Sequence, residues 1–430
     1  MKNRWGQLVL GVICMMAISS PQYVWALFTK PLTAALGVSL PAIQVTFSLL
    51  VLLQAFLSPF QGFLIEKFGT RALLATGAAL TGLSWVLSAY AGNVEQLYLA
   101  YGVLGGIGTG IIYVGVVGHM VQWFPDRRGL ATGLAAAGYG SGAILTTIPI
   151  SHVIAASSYR HALLEFGIIL GAVGIVAALR LRQPDAATRA ALRTGVKAST
   201  NRESARDYTP LEMVKTPLFW VLFAMMTMMC TSGLMVISQM GAFTKDFGMA
   251  DVLVFGVAAL PLALSIDRIT NGFTRPFFGW VSDRIGRETT MVIAFSLEGL
   301  AMIAWLFTRN DPTVFVLMSG VVFFGWGEIF SLFPATLTDT FGTRHATTNY
   351  GVLYIAFGVG SVLGGPVAAV LHDATHSWIP VFEAIIVMNF LTALLAHVVL
   401  RPARRRWLER PIAAAHEIVE AHPAPVLAQV

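Results

Sequence analysis

The sequence predicts an all-α membrane protein, twelve transmembrane helices in two pseudo-symmetric six-helix bundles, and three observations carry that prediction. The chain of 430 residues is 56% hydrophobic and only 12% charged, with a mean hydropathy of +0.71, a balance foreign to water-soluble proteins. Apolar stretches of about 20 residues, the length a helix needs to cross a ~30 Å hydrocarbon layer, recur twelve times. A short glycine-acid-base-glycine motif then repeats at matching places in the two halves.

The stretches run near 6–28, 42–65, 72–92, 96–122, 129–150, 161–181, 216–243, 252–282, 289–308, 313–338, 346–371 and 377–400. Helices fit them, because membrane strands are shorter, alternate in polarity and must close into a barrel. The first is too long for a signal-peptide core and holds Ser19, Ser20, Pro21 and Gln22, so it reads as span one. Lys and Arg accumulate on the cytoplasmic side of a membrane. Placing the amino terminus, the even-numbered connections and the tail on one side collects 22 basic residues there, against Lys30, Arg160, Lys245 and Arg309 on the other. Both termini are therefore expected to be cytoplasmic, in a bacterial-type inner membrane. The net charge of +6 reflects that asymmetry, and no nucleic-acid partner is expected.

A polar stretch from Arg182 to Lys215 divides residues 1–181 from 216–400 as a cytoplasmic linker. The tail, 401–430, opens with "RPARRRWLER" and suits a basic anchor at the inner leaflet. Cys14 and Cys230 lie inside apolar runs and suggest neither a disulfide nor a metal site. No nucleophile, metal or cofactor spacing points to an enzyme, so no cofactor is expected, and nothing in the pattern calls for more than a monomer.

"GFLIEKFGTR" (62–71), after span two, matches "GWVSDRIGRE" (279–288), after span eight, at an offset of 217 residues. The shared positions are Gly62 and Gly279, Glu66 and Asp283, Lys67 and Arg284, Gly69 and Gly286, with Arg71 and Arg287 close behind. "WFPDRRGLATGLAAAGYGSG" (123–142) and "FGTRHATTNYGVLYIAFGVG" (341–360) correspond at nearly the same offset, as duplicated six-helix units would. Gly62 and Gly279 permit close helix approach, and Asp283 is expected to meet basic residues and helix ends of its own bundle. Glycines in "YGVLGGIGTG" (101–110) and "GVGSVLGGP" (358–366) offer further small packing faces. Twelve spans, a central linker and this duplicated loop resemble the major facilitator superfamily, which implies two bundles rocking about a mid-membrane substrate site.

A charge at mid-span costs on the order of 2.5–3.5 kcal/mol and so faces a bundle interior or a wet cavity. Span eight holds three: Asp267, Arg268 and Arg275. Seven residues apart, Arg268 and Arg275 lie within about 20° of one helical stripe, with Asn271 and Gly272 between them. Two forked guanidiniums and an amide suit an anion. Arg275 has no acid three or four residues away and is expected to bind substrate. Arg268 either does the same or pairs with Asp267 or Glu328. Glu328, in mid-span ten, is either a proton carrier or that standing partner, and Asp267 fits either task. His119 in span four is a possible relay, more simply a partner for a neighbouring carbonyl. Glu165, Glu298 and Glu383 are expected to be structural, in peripheral spans.

Gln22 and Tyr23 in span one, Tyr113 in span four, Tyr139 in span five, Trp326 in span ten and Tyr354 in span eleven supply flat apolar walls with polar tips, suited to a small organic anion. "NRWGQLVLGV", "PQYVW", "WFPDRRGLATG", "AAGYG", "NGFTRPFFGWVSDRIGR" and "NYGVLYIAFGVGSVLGGP" resemble the oxalate:formate antiporter family, related to the monocarboxylate porters, along nearly the whole chain. The resemblance implies that Arg275 binds carboxylate and that Tyr23, Tyr113, Tyr139, Trp326 and Tyr354 cage it. It also implies a span-eleven lysine complementing a dianion, where this chain has Phe357. The expected function is secondary transport of a small carboxylate, preferably a monocarboxylate such as lactate, pyruvate or formate, by proton symport or anion exchange. Oxalate:formate exchange and export of drugs or aromatic compounds are the alternatives.

Overall fold

Polar caps and glycines decide where each span begins and ends. In the computed structural model, residues 4–185, 187, 188, 192, 201–249 and 252–409 are described. Linker residues 186, 189–191 and 193–200 and tail residues 410–430, on which the linker and anchor expectations partly fall, lie outside them. Spans three, five, six, seven, eight, nine and eleven are the helices Thr70–Ser88, Arg128–Ala156, Tyr159–Arg180, Pro217–Asp246, Ala259–Ile285, Arg287–Thr308 and Ala346–Thr375. Span four is Val94–Trp123 and span twelve Ile379–Glu409. Ser39, Asn93, Ser158, Thr216 and Asp311 stand just before spans two, four, six, seven and ten, and each side chain accepts from the backbone N–H three residues on, satisfying a donor that the helix leaves unpaired.

Three spans are broken. Span one comprises Arg4–Ala17, Ser20–Tyr23 and Trp25–Leu36, bent by 43° at Val24. Span two comprises Leu40–Phe56 and Ser58–Phe68, bent by 53° just before Pro59, whose ring and missing N–H disturb the preceding turn. Span ten is Pro312–Phe324 and Ile329–Phe341, with Gly325, Trp326, Gly327 and Glu328 unwound into turns between them. Among the described residues, eight helices are long and apolar enough to cross a membrane on their own, ten with the two bent pairs. The remaining two are Thr70–Ser88, diluted by Thr, Ser and Gly, and Ala259–Ile285, which carries the charged residues of span eight.

The expected start of span eight near 252 is corrected. Leu253–Val254 pairs antiparallel with Val257–Ala258, and the helix begins at Ala259. Phe255 and Gly256, at φ 52° and 80°, make the two-residue turn with positive φ that a tight hairpin requires.

The duplicated loops adopt one backbone geometry. Gly69 has φ 94° and ψ 145°, and Gly286 has φ 101° and ψ 152°, a region essentially reserved for glycine. Each is a one-residue hinge from one span into the next. Span five packs along span eight and span two along span eleven, so each contact joins the first six spans to the last six. Their crossings are backbone-close: a Cβ on Gly62 would sit 2.7 Å from Thr348 Cα, and one on Gly279 would meet Gly129 C at 2.5 Å.

Candidate functional site

Span eight brings Arg275 to the centre of the molecule. The residue is 2% exposed, and its Nη1 donates to the Ala136 carbonyl of span five at 2.7 Å while Nη2 donates to Asn271 Oδ1 at 2.8 Å. Its Nε finds no partner. The guanidinium lies 4.7 Å over the Phe330 ring. Among the described residues, no carboxylate comes within ion-pair distance of it.

Aromatic rings from five spans surround Phe330 and this charge. Tyr113 contacts Tyr139 edge-on at 5.2 Å, Tyr354 in a stack at 4.9 Å and Phe330 at 6.3 Å. Tyr23 meets Tyr139 at 5.4 Å, and the Tyr139 hydroxyl donates to Gln22 Oε1. Phe357 stacks on Tyr354 at 5.2 Å and touches Phe330 at 5.8 Å. Trp326 packs on Phe330 at 5.9 Å, its indole N–H donating to the Met229 carbonyl. Arg275, Asn271, Gln22, Tyr23, Tyr113, Tyr139, Trp326, Tyr354 and Phe357 thus form one connected assembly. Phe330 and Tyr350 belong to it and were not foreseen. Tyr350 stands one turn before Tyr354, 5.6 Å away, and Phe330 one turn after Trp326; that helical spacing was the available signal. The buried hydroxyls of Tyr113 and Tyr350 are neighbours of each other. Space remains at two glycines: a Cβ on Gly272 would meet nothing within 4 Å, and one on Gly140 would find only Arg275 Cζ at 4.0 Å.

The other charges are not arranged as expected. Asp267 and Arg268, adjacent in sequence, project about 100° apart on their helix. Asp267 is 5% exposed with Ser319 of span ten as its hydrogen-bonding neighbour, whereas Arg268 is exposed. Among the described residues Arg268 pairs with neither Asp267 nor Glu328, so the three do not balance one another. Glu328 is fully buried in the unwound turn of span ten, and both its carboxylate oxygens lack partners. Glu298, expected to be peripheral, is instead 1% exposed and faces Glu328. Glu165 sits beside His161 near the surface and Glu383 is exposed. His119 meets Gln7 Oε1, a side-chain amide carbonyl of span one, at 3.3 Å, and Gln7 also accepts from Arg182 N.

At the end carrying most of the basic residues, the repeated acids act across the two halves. Asp283 accepts from Gly129 N at 3.0 Å and Leu130 N at 2.8 Å, the first turn of span five. Glu66 accepts from Thr348 N at 2.9 Å, the first turn of span eleven. This corrects the expectation that Asp283 serves the helix ends of its own bundle: the close glycine crossings deliver the opposite half's unpaired N–H groups to these carboxylates, where the helix dipole favours an anion. Within its own half Asp283 pairs with Arg287 at 2.6 Å, and Arg287 continues to Asp339 at 2.9 Å. Arg128 reaches Asp339 from span five and Glu203 in the linker at 2.8 Å. Lys67 and Arg284 instead lie over the rings of Phe68 and Trp280, and Arg71 is exposed.

A chain with this architecture has relatives among known proteins. The family model described as the Major Facilitator Superfamily matches residues 8–266 and 262–428. An oxalate:formate antiporter of Oxalobacter formigenes is 34% identical over 410 residues, covering 94% of each chain. The chain belongs to the major facilitator superfamily, in the branch of the oxalate:formate antiporter. Another relative, monocarboxylate transporter 11 of Mus musculus, is 26% identical over 74% of this chain and 70% of its own. The proton:xylose symporter XylE shares the fold with a TM-score of 0.64 at 14% identity, over 92% of this chain and 96% of its own. This superfamily member is a multi-pass membrane transporter.

Proposed function

We propose that this superfamily member is a secondary transporter of small carboxylates in a bacterial-type inner membrane, both termini cytoplasmic, preferring a monocarboxylate such as lactate, pyruvate or formate. The observation that carries this proposal is Arg275: a permanent charge, buried, held only by a carbonyl, an amide and an aromatic face, with Nε unused. A buried charge without a counter-ion is costly, and a carboxylate arriving in the space at Gly140 and Gly272 offsets that cost through charge-assisted hydrogen bonds. The relatives' names agree in chemical class, one being an oxalate:formate antiporter and others monocarboxylate transporters.

Preference for one carboxylate follows from the surroundings of that cation. Phe357, Phe330 and Tyr354 give an apolar wall where a second fixed cation would favour a dianion. Arg268 is displaced about 10 Å along the helix axis from Arg275, too far for the adjacent carboxylates of a two-carbon dianion to meet both guanidiniums as they stand. Residues 1–181 and 216–400 act as rocking bundles joined by linker 182–215. The end sealed in this conformation is the basic one, which is the cytoplasmic end under this orientation. Substrate neutralises Arg275 and so removes the charge opposing reorientation.

The test is purified protein in liposomes, comparing uptake of labelled lactate, formate and oxalate with and without internal counter-anion and a pH gradient. Arg275-dependent uptake of lactate or formate above oxalate supports the proposal. Undiminished uptake by Arg275→Ala sinks the site, and absence of transport of all three sinks the substrate class.

A further inference from the structure

Glu298 and Glu328 form a second buried polar centre, behind the carboxylate site. Glu328 stands at the end of the unwound turn of span ten, and Gly325 at its start leaves room for Glu298 of span nine: a Cβ on Gly325 would meet Glu298 Cβ at 2.7 Å and Cγ at 3.1 Å. Asn389 of span twelve and Ser232 of span seven face Glu298 as well. All four residues are at most 1% exposed. Asn389 and Ser232 are hydrogen-bonding neighbours of Glu298 and carry no charge, while both oxygens of Glu328 make no hydrogen bond. Buried carboxylates normally meet a cation or a full set of donors, and two of them brought together among neutral neighbours mark a place built for something the protein itself does not supply. Unwound turns within membrane helices commonly serve as coupling-ion sites.

We propose that Glu298 and Glu328 form a shared proton-binding site whose occupancy is coupled to carboxylate binding at Arg275. The inference rests on the reading of Arg275 as the carboxylate site. Two carboxylates facing each other in a water-excluding interior do not both stay ionised. Arg275, on span eight, is the charged group acting on Glu328, and Glu328 is the one acting on Glu298, while Asn389 and Ser232 are neutral.

Charge balance then fixes the cycle. In the empty carrier the pair retains one proton, and its single negative charge offsets Arg275. A monocarboxylate takes over Arg275, which leaves that negative charge uncompensated, and a second proton from the same aqueous side neutralises it. Both the empty and the loaded centre are therefore neutral and able to reorient, and each carboxylate travels with one proton. Substrate and proton strengthen each other's binding, reciprocally, as linkage requires.

The experiment uses the full-length protein in sodium-free liposomes containing a pH-sensitive dye, with an inward gradient of lactate or formate. The Arg275→Ala protein supplies the background from acid crossing the lipid unaided. We expect the double variant Glu298→Gln/Glu328→Gln, which has no carboxylate left to take up the second proton, to reduce protein-dependent acidification of the lumen by about tenfold or more. Unchanged acidification in that double variant overturns the proposal, as does a requirement for sodium. Infrared spectra of the purified protein at neutral pH give a second readout that needs no substrate. A protonated carboxylic-acid carbonyl band that diminishes in both Glu298→Gln and Glu328→Gln supports the pair, and its absence overturns it. If that band is present while Arg275→Ala transports as well as wild type, the pair stands and the carboxylate reading fails.

Discussion

Arg275 and Arg287 are each 2% exposed and were equally visible in the sequence, yet their surroundings assign them opposite tasks. Arg287 is enclosed by Asp283, Asp339 and Ser282. Arg275 has neutral partners and an idle Nε. Removing one member of a buried ion pair strands the other, at about 3–5 kcal/mol, so Arg287→Gln is expected to lower thermal stability by that order. Among the described residues Arg275 has no carboxylate in direct contact, so its removal strands no ion-pair partner. Arg275→Gln should therefore keep or raise the melting temperature while weakening carboxylate binding by about 30-fold or more. Fluorimetric melting beside equilibrium binding checks both halves, and a large loss of stability in Arg275→Gln would mark it as structural. The sequence disclosed Arg275 because no acid stood three or four residues away. It misled at Arg268 and Glu298, since adjacency in sequence does not give a shared helix face, and depth in a bundle depends on how the helices assemble.

Most span boundaries followed from hydropathy to within a few residues, the start of span eight at Ala259 and the ends of spans one and twelve at Leu36 and Glu409 excepted, but the breaks did not, because a proline or glycine announces a weak point without saying whether neighbours exploit it. Span ten illustrates this. "FFGWGEIF" reads as continuous apolar helix, and its unwinding at Gly325–Glu328 became apparent only with Glu298 packed against Gly325 and Thr274 donating to the freed carbonyl of Phe324. The duplicated loop was more legible, since its glycine spacing carries a backbone requirement. Gly286 lies in a φ/ψ region that costs a side chain about 1–3 kcal/mol. Gly286→Ala is expected to lower stability by that amount, and Gly69→Ala by a similar amount because its dihedrals nearly coincide. A neutral result at either site in thermal unfolding would show that the one-residue hinge relaxes.

Across the molecule, the repeat predicted two related halves without revealing that each half's loop acid caps a helix of the other. That crossing makes the basic end a latch. Asp339 lies 1% exposed against Arg128 of span five and Arg287 of span nine, with Arg404 of span twelve at 4.0 Å, so a single carboxylate holds cations from both halves. Neutralising it in Asp339→Asn leaves Arg128 and Arg287 facing each other with less to offset them, and repulsion between buried like charges favours separation of spans five and eight. Hydrogen exchange should then accelerate in residues 128–133 and 279–287, where the halves meet, and remain unchanged in spans three and six, whose mutual packing lies within the first half. A cysteine substituted for Leu130 should react faster with a membrane-impermeant thiol reagent applied to that end, in a background lacking Cys14 and Cys230. Exchange that accelerates uniformly would show that Asp339 supports the whole fold. Acceleration confined to the crossing would show that the energy of this cluster is spent on keeping one end shut while Arg275 awaits an anion from the other.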